Sequence, residues 1–153
     1  MATPAFILRL MFHKGLSSSV KLGPEDAEAY RFAQDLRLAS IEGRLLAVWT
    51  HPANELAGVG KTVNGKFRVL VQAAIAKALG LITGSSDYLF LHRAGSLSIE
   101  FKSETGTLTQ SQKDFRAWCE ALGVPFHVVR SREEALAVLR EAGLLVNETE
   151  RRW

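Results

Sequence analysis

The stretch from Gly84 to Gln112, GSSDYLFLHRAGSLSIEFKSETGTLTQSQ, constrains the fold most, because it specifies two paired strands and the turn that feeds them. It opens with a Gly-Ser-Ser turn carrying Asp87. Tyr88-Leu89-Phe90-Leu91-His92 follows, apolar and aromatic enough to predict a buried strand. Arg93-Ala94-Gly95-Ser96 is short and contains Gly, so it suits a hairpin connection. The next run alternates strictly: Leu97, Ile99 and Phe101 fall on one side, and Ser98, Glu100 and Lys102 on the other. Side chains two apart on a strand share a face, so Glu100 and Lys102 are expected to project together while their apolar neighbours anchor the strand. Paired in this order, the hairpin puts Asp87 and Glu100 near the same end of adjacent strands. Two carboxylates and an ammonium then converge on one small volume.

That combination suits a hard divalent cation. Mg2+ prefers oxygen ligands and is held by one or two carboxylates completed by water and substrate phosphate. A nearby lysine can orient or deprotonate an attacking water and offset charge building on phosphorus. Glu-x-Lys alone occurs everywhere by chance, and its plain reading is a surface hairpin with an ordinary ion pair. An aspartate at a Gly-rich turn before one strand, with Glu-x-Lys on the next, is a more specific pattern.

On these residues the sequence resembles the VRR-NUC (virus-type replication-repair) nucleases of the PD-(D/E)xK, restriction-endonuclease-like superfamily. The resemblance rests on Gly84-x-x-Asp87, Glu100-Phe101-Lys102 and Gly106-x-Leu108-Thr109-x-x-Gln112 ahead of an amphipathic helix. His51-Pro52-Ala53-Asn54-Glu55 is similar to the H-x-P-N-E segment of stand-alone members, and Ala74-x-x-Lys77-x-x-Gly80-Leu81 to the helix leading into their Gly-x-Pro-Asp turn. Gly123 through Leu144 fits the last strand and helix, so the likeness covers residues 25 to 145. The proline expected before the aspartate is Ser86 here; it is a backbone device rather than a ligand. The resemblance implies metal ligation by Asp87, Glu100 and the carbonyl of Phe101, with Lys102 positioning water and Gln112 close to Lys102, holding water or backbone phosphate. It also implies a further metal-site carboxylate from the first helix. Glu28 fits best by distance from the Asn54 segment, whereas Glu25 points nearer the centre of the apolar face.

The remaining chain frames this stretch. At 153 residues, with 47% hydrophobic and 23% charged, it reads as one ordinary soluble domain long enough to bury a core. A net charge of +3 and an isoelectric point near 9.2 permit nucleic-acid binding without proving it. The single cysteine, Cys119, precludes an internal disulfide or Cys-rich zinc site and sits on a helical apolar stripe, as a buried thiol does. No run reaches membrane-spanning length and no signal pattern is visible, so the expectation is a cytoplasmic protein without membrane partners. Residues 1–24 read as an N-terminal arm, a strand or loosely docked segment; 25–145 as the nuclease-like domain; and 146–153 as a charged, frayed tail.

Pro24-Glu25-Asp26 starts a helix over 25–42, with carboxylates at its positive end and Gly43 after it. Leu45 to Trp49 is a strand, and 51–66 a long loop in which Asn54, Lys61 and Lys66, with Arg68 beyond it, are natural phosphate contacts. His51, without a second ligand at metal spacing, reads as a structural hydrogen-bonding histidine. Arg68 to Leu79 is a helix with Lys77 off its apolar stripe of Val71, Ile75, Ala78 and Leu79, where it reads either as a DNA contact or as a solvated lysine. Thr109 caps a helix whose stripe is Phe115, Trp118, Cys119 and Leu122; a strand over 125–130 and a helix from Ser131 follow.

The order predicts an α/β fold, a mixed central sheet flanked by helices, in agreement with the restriction-endonuclease-like αβββαβ core. The function expected is a Mg2+- or Mn2+-dependent DNA nuclease, structure-selective, hydrolysing phosphodiester bonds of branched or duplex DNA in replication, repair or recombination. The alternative is a non-catalytic nucleic-acid-binding or assembly module on the same fold. A homodimer is expected from the apolar run Phe6, Ile7, Leu8, Leu10, Met11 and Phe12, unless that arm completes the sheet of its own subunit.

Overall fold

Helices and strands are interspersed along the chain. The computed structural model describes residues 2–53 and 60–153. In chain order the elements are α1 (Ala5–Met11), α2 (Pro24–Ile41), β1 (Val48–Thr50), β2 (Gly60–Val63), β3 (Lys66–Val69), α3 (Val71–Ala78), β4 (Tyr88–Leu91), β5 (Leu97–Phe101), α4 (Gln110–Ala121), β6 (Phe126–Val129) and α5 (Arg132–Glu141). A 3-10 turn at Glu148–Glu150 follows. The main sheet has the order β1-β4-β5-β6, and β2 and β3 form a separate two-stranded sheet. β4 and β5 are antiparallel, with Tyr88 opposite Ile99, Leu89 opposite Ser98 and Phe90 opposite Leu97. β5 and β6 run parallel: Ser98 N donates to Pro125 O at 3.0 Å and Lys102 N to Val129 O at 2.9 Å, four residues further on each strand. A parallel pair needs a crossover, and α4 supplies it. The chain is therefore an α/β fold with a mixed four-stranded sheet flanked by helices.

Every residue of β5 is buried. The alternation of apolar and polar side chains predicts one dry and one wet face, yet Ser98 and Glu100 are 1% exposed and Lys102 is 8% exposed. Both faces of β5 are therefore covered, so its polar side chains must find partners inside. Ser98 Oγ donates to Pro125 O at 3.4 Å.

By its internal packing the chain divides into two units, interleaved in sequence. One comprises residues up to Val48, Phe101–Gly106 and Val128–Trp153; the other, Trp49–Glu100 and Thr107–His127. In the first, α2 starts with Pro24 at its first turn beside Glu25 and Asp26. It buries Phe32, Ala33, Leu36 and Ala39, and the Phe32 ring lies 5.4 Å from that of Phe101. α2 packs on both α1 and α5. Asp35 accepts two hydrogen bonds from the Arg132 guanidinium, which raise its already high pKa further. In the second unit, Trp49 packs on Tyr88 and Phe115 on Phe126.

Several expectations from sequence change here. Residues 5–11 are a helix, not a strand or a loose arm. Ala, Leu, Met and Arg favour helix, and Ile7 is buried on α1, which packs on α2. The long loop holds the β2–β3 hairpin, turned by Asn64 and Gly65 at φ 51° and 73°; two successive positive φ angles make the turn that matches strand twist. Arg68 thus lies in a strand, and the helix begins only at Val71, burying Ala73 while Val71, Ile75 and Leu79 stay exposed. On α4, Cys119 goes inward, but Trp118 and Leu122 are 54% and 70% exposed, so the buried stripe is narrower than the apolar one. The tail is tied down: Arg152 N donates to Gly43 O at 2.8 Å and Trp153 Nε1 to Ile41 O at 2.9 Å. Among the described residues, no helix is long and apolar enough to cross a membrane.

Candidate active site

The register of β4 on β5 sets the first group of site residues. With Tyr88 opposite Ile99, one step further brings Asp87 to the end of β5 that carries Glu100. Asp87 N donates to Glu100 Oε2 at 3.2 Å. Gln112 Nε2 donates to Glu100 Oε1. Gln112 reaches it from the first turn of α4, where it completes a capping box: Thr109 N donates to Gln112 Oε1 at 2.9 Å and Gln112 N to Thr109 Oγ1 at 3.4 Å. One amide side chain therefore joins the start of α4 to the Glu100 carboxylate.

Gly84 makes this approach possible. Its φ is +83°, and a Cβ there would lie 2.4 Å from the backbone carbon and oxygen of Ser111 and 2.7 Å from Gln112 N. Only glycine lets the turn carrying Asp87 sit directly on the first turn of α4. Ser86 is fully buried in the same turn. His51 Nδ1 donates to the Asp87 carbonyl at 2.5 Å, with its ring 5.4 Å from that of Tyr88. That is the structural hydrogen bond expected of this histidine.

The second group lies in the other unit. Lys102 Nζ is 3.7 Å from Glu25 Oε1, and Ser103 N donates to Glu25 Oε2 at 3.0 Å. The α2 carboxylate beside Lys102 is therefore that of Glu25. Glu28, preferred for that role on distance along the sequence, accepts Arg132 N at 2.8 Å and pairs with Arg31, which makes it an acceptor at the start of α5. Phe101 ends β5 with its side chain buried, and its carbonyl belongs to the strand backbone. Sequence reasoning passed over Arg130, whose Nη1 donates to the carbonyls of Ser103, Glu104 and Gly106.

Of the DNA contacts expected, Lys66 and Lys77 are exposed on β3 and α3. Lys61 and Arg68 are cross-strand partners in the β2–β3 ladder. Asn54 lies outside the described residues. Cys119 is buried, and burial pushes its thiol pKa up, which disfavours the reactive thiolate.

Among the described residues, no three His, Cys, Asp or Glu side chains gather where they could hold a metal ion. Asp87 and Glu100 are nonetheless hard oxygen donors of the kind Mg2+ and Mn2+ take, and one or two carboxylates suffice when water and phosphate complete the shell. A carboxylate offers about four lone-pair positions, so the two hydrogen bonds to Glu100 do not in themselves saturate it. By the chemistry of the donors, the residues fit such an ion.

Comparison with protein-family models, with curated proteins and with solved structures finds no match for this chain.

Proposed function

We propose that this chain is a Mg2+- or Mn2+-dependent DNA nuclease on a restriction-endonuclease-like core, structure-selective and acting in replication, repair or recombination. The observation that carries the reading is Glu100: a carboxylate 1% exposed, held by the Asp87 N–H and the Gln112 amide, two residues before a buried lysine. Burying an acid and a base is costly unless each is paired, and apolar side chains would fill a central strand at no such cost. Ligation or catalysis gives that burial a reason. The order α2, β1, β4, β5, α4, β6 matches αβββαβ, with β2, β3 and α3 inserted after the first strand.

In this reading Asp87, Glu100 and the Phe101 carbonyl would hold the ion, which supplies Lewis-acid polarisation of the phosphate when bound. Gln112 fixes the Glu100 carboxylate. Glu25 keeps the Lys102 ammonium near 3.7 Å from its own oxygen, so the lysine enters the reaction already oriented. Lys102 then directs a water for in-line attack on phosphorus and offsets the charge that develops there. Breakage of the bond from phosphorus to the 3′ oxygen leaves 5′-phosphate and 3′-hydroxyl ends. Asn54, Lys61, Lys66, Arg68 and Lys77 would contact the DNA backbone. A homodimer would present two such sites to a branched duplex.

One observation favours a second reading. Both Glu100 oxygens accept hydrogen bonds from protein donors, as in a satisfied structural acid, which suits a non-catalytic nucleic-acid-binding or assembly module. Incubating purified protein with labelled branched and linear DNAs, with and without Mn2+, separates the two. Metal-dependent cleavage that Lys102→Ala abolishes is expected. Binding without cleavage on every substrate would leave the second reading standing.

A further inference from the structure

We propose that Arg130 is a positioning residue for Lys102, acting through the turn at 103–106; the role in catalysis rests on the nuclease reading, while the clamp itself does not. One nitrogen, Nη1, donates to three carbonyl oxygens of a single turn: Ser103 O, with Glu104 O and Gly106 O each at 3.0 Å. The turn is also closed on itself, since Gly106 N donates to Ser103 O at 3.0 Å. Three carbonyl dipoles aimed at one point repel one another, and a guanidinium between them converts that repulsion into attraction.

The clamp bears on Lys102 from both directions along the chain. Lys102 N donates to Val129 O at 2.9 Å, and Val129 immediately precedes Arg130. The root of the arginine is thereby fixed to the lysine backbone. Its tip holds the Ser103 carbonyl, while the Ser103 N–H donates to Glu25 Oε2 at 3.0 Å. The other oxygen of that same carboxylate lies 3.7 Å from Lys102 Nζ. Releasing the tip loosens Ser103, and through it the Glu25 carboxylate that faces the ammonium. Arg130 N also donates to Glu134 Oε2 at 2.8 Å, so the arginine backbone is held independently of its side chain and stays in place when the side chain is cut back. Lysine at this position keeps a charge but presents a single nitrogen on a flexible stem, with different reach from a planar fork.

The test compares wild type with Arg130→Lys and Arg130→Ala in three measurements. These are single-turnover cleavage with Mn2+ and DNA saturating, amide exchange at Ser103 and Gly106, and the 13Cε signal of Lys102 in lysine-labelled protein. Both variants should bind DNA as wild type does yet cleave about 10- to 100-fold more slowly, the size expected from misplacement of a catalytic group. Their Ser103 and Gly106 amides should exchange faster while those of α2 and α5 keep their protection. The Lys102 signal should move toward that of a mobile lysine. Wild-type exchange at Ser103 and an unchanged Lys102 signal would overturn the proposal. So would full cleavage by Arg130→Lys, or a loss confined to KM. Should wild type cleave nothing, the nuclease reading alone falls, and the exchange and lysine measurements still decide the clamp. Should Arg130→Ala fail to fold, Arg130→Lys carries all three readouts.

Discussion

An alanine at position 84 would drive a methyl group into the first turn of α4. Its Cβ would stand 2.4 Å from the carbonyl carbon and oxygen of Ser111 and 2.7 Å from Gln112 N. All three are backbone atoms, so no side-chain rotation relieves the overlap. Holding a non-glycine residue at φ +83° costs about 1–2 kcal/mol, and overpacking adds about 1–3 kcal/mol. The expected loss is therefore roughly 2–5 kcal/mol. Gly123→Ala separates the two contributions: its φ is +71° and a Cβ there meets nothing within 4 Å. That variant should show only the backbone penalty of about 1–2 kcal/mol. The assay is equilibrium denaturation of wild type and both variants, with melting temperature as a second readout. At about 2–4 °C per kcal/mol for a domain of this size, Gly84→Ala should melt roughly 2–12 °C below Gly123→Ala. The contact also aligns the turn carrying Asp87 with the helix turn carrying Gln112, both of which donate to Glu100. Metal affinity should accordingly fall in Gly84→Ala and hold in Gly123→Ala. Equal destabilisation by the two substitutions would refute the claim that the Ser111 contact, rather than the backbone angle, requires glycine.

Lys102→Ala should keep fold and metal binding and lose on the order of 100-fold or more in cleavage rate, as removal of a positioned transition-state charge does; a wild-type rate rules the role out. Asp87→Ala and Glu100→Ala should each weaken Mn2+ binding by calorimetry, and no divalent-metal binding by wild type, even with DNA present, would end the metal-site reading. DNA affinity should fall with salt, and Lys66→Ala or Lys77→Ala should each lower the log–log slope by nearly one unit, about 0.9 for each phosphate no longer neutralised; unchanged slopes place the DNA elsewhere. Phe6, Leu8, Met11 and Phe12 are exposed, so light scattering at micromolar concentration should give the mass of two chains and Phe12→Glu that of one; a single-chain mass for wild type removes the dimer.

What was legible in the sequence is what repeats. The continuous run in β4 and the alternation in β5 announced both strands, and a hairpin of that order puts Asp87 and Glu100 at one end, where the register has them. Thr109 and Gln112 stood at capping-box spacing, and the hydrogen bonds of that box are present. The β2–β3 hairpin had its signal too, in Asn64-Gly65, but strands written GKTV and KFRV carry little apolar contrast against a polar loop. Elsewhere the deciding contacts were single and long-range. Glu25 and Glu28 are one turn apart on α2, so local spacing ranks them almost equally; packing gave Glu25 to Lys102 and Glu28 to the start of α5. The docking of the tail rests on a backbone N–H meeting the carbonyl of Gly43 and an indole N–H meeting that of Ile41, 112 residues away. Arg130 is the extreme case, because its three partners are backbone carbonyls, which every residue possesses and no side-chain pattern marks. Periodicity thus reveals where a strand carries an acid and a base, whereas the bonds that orient them are made once, to side chains and main-chain atoms of other elements, and emerge only when the chain is folded.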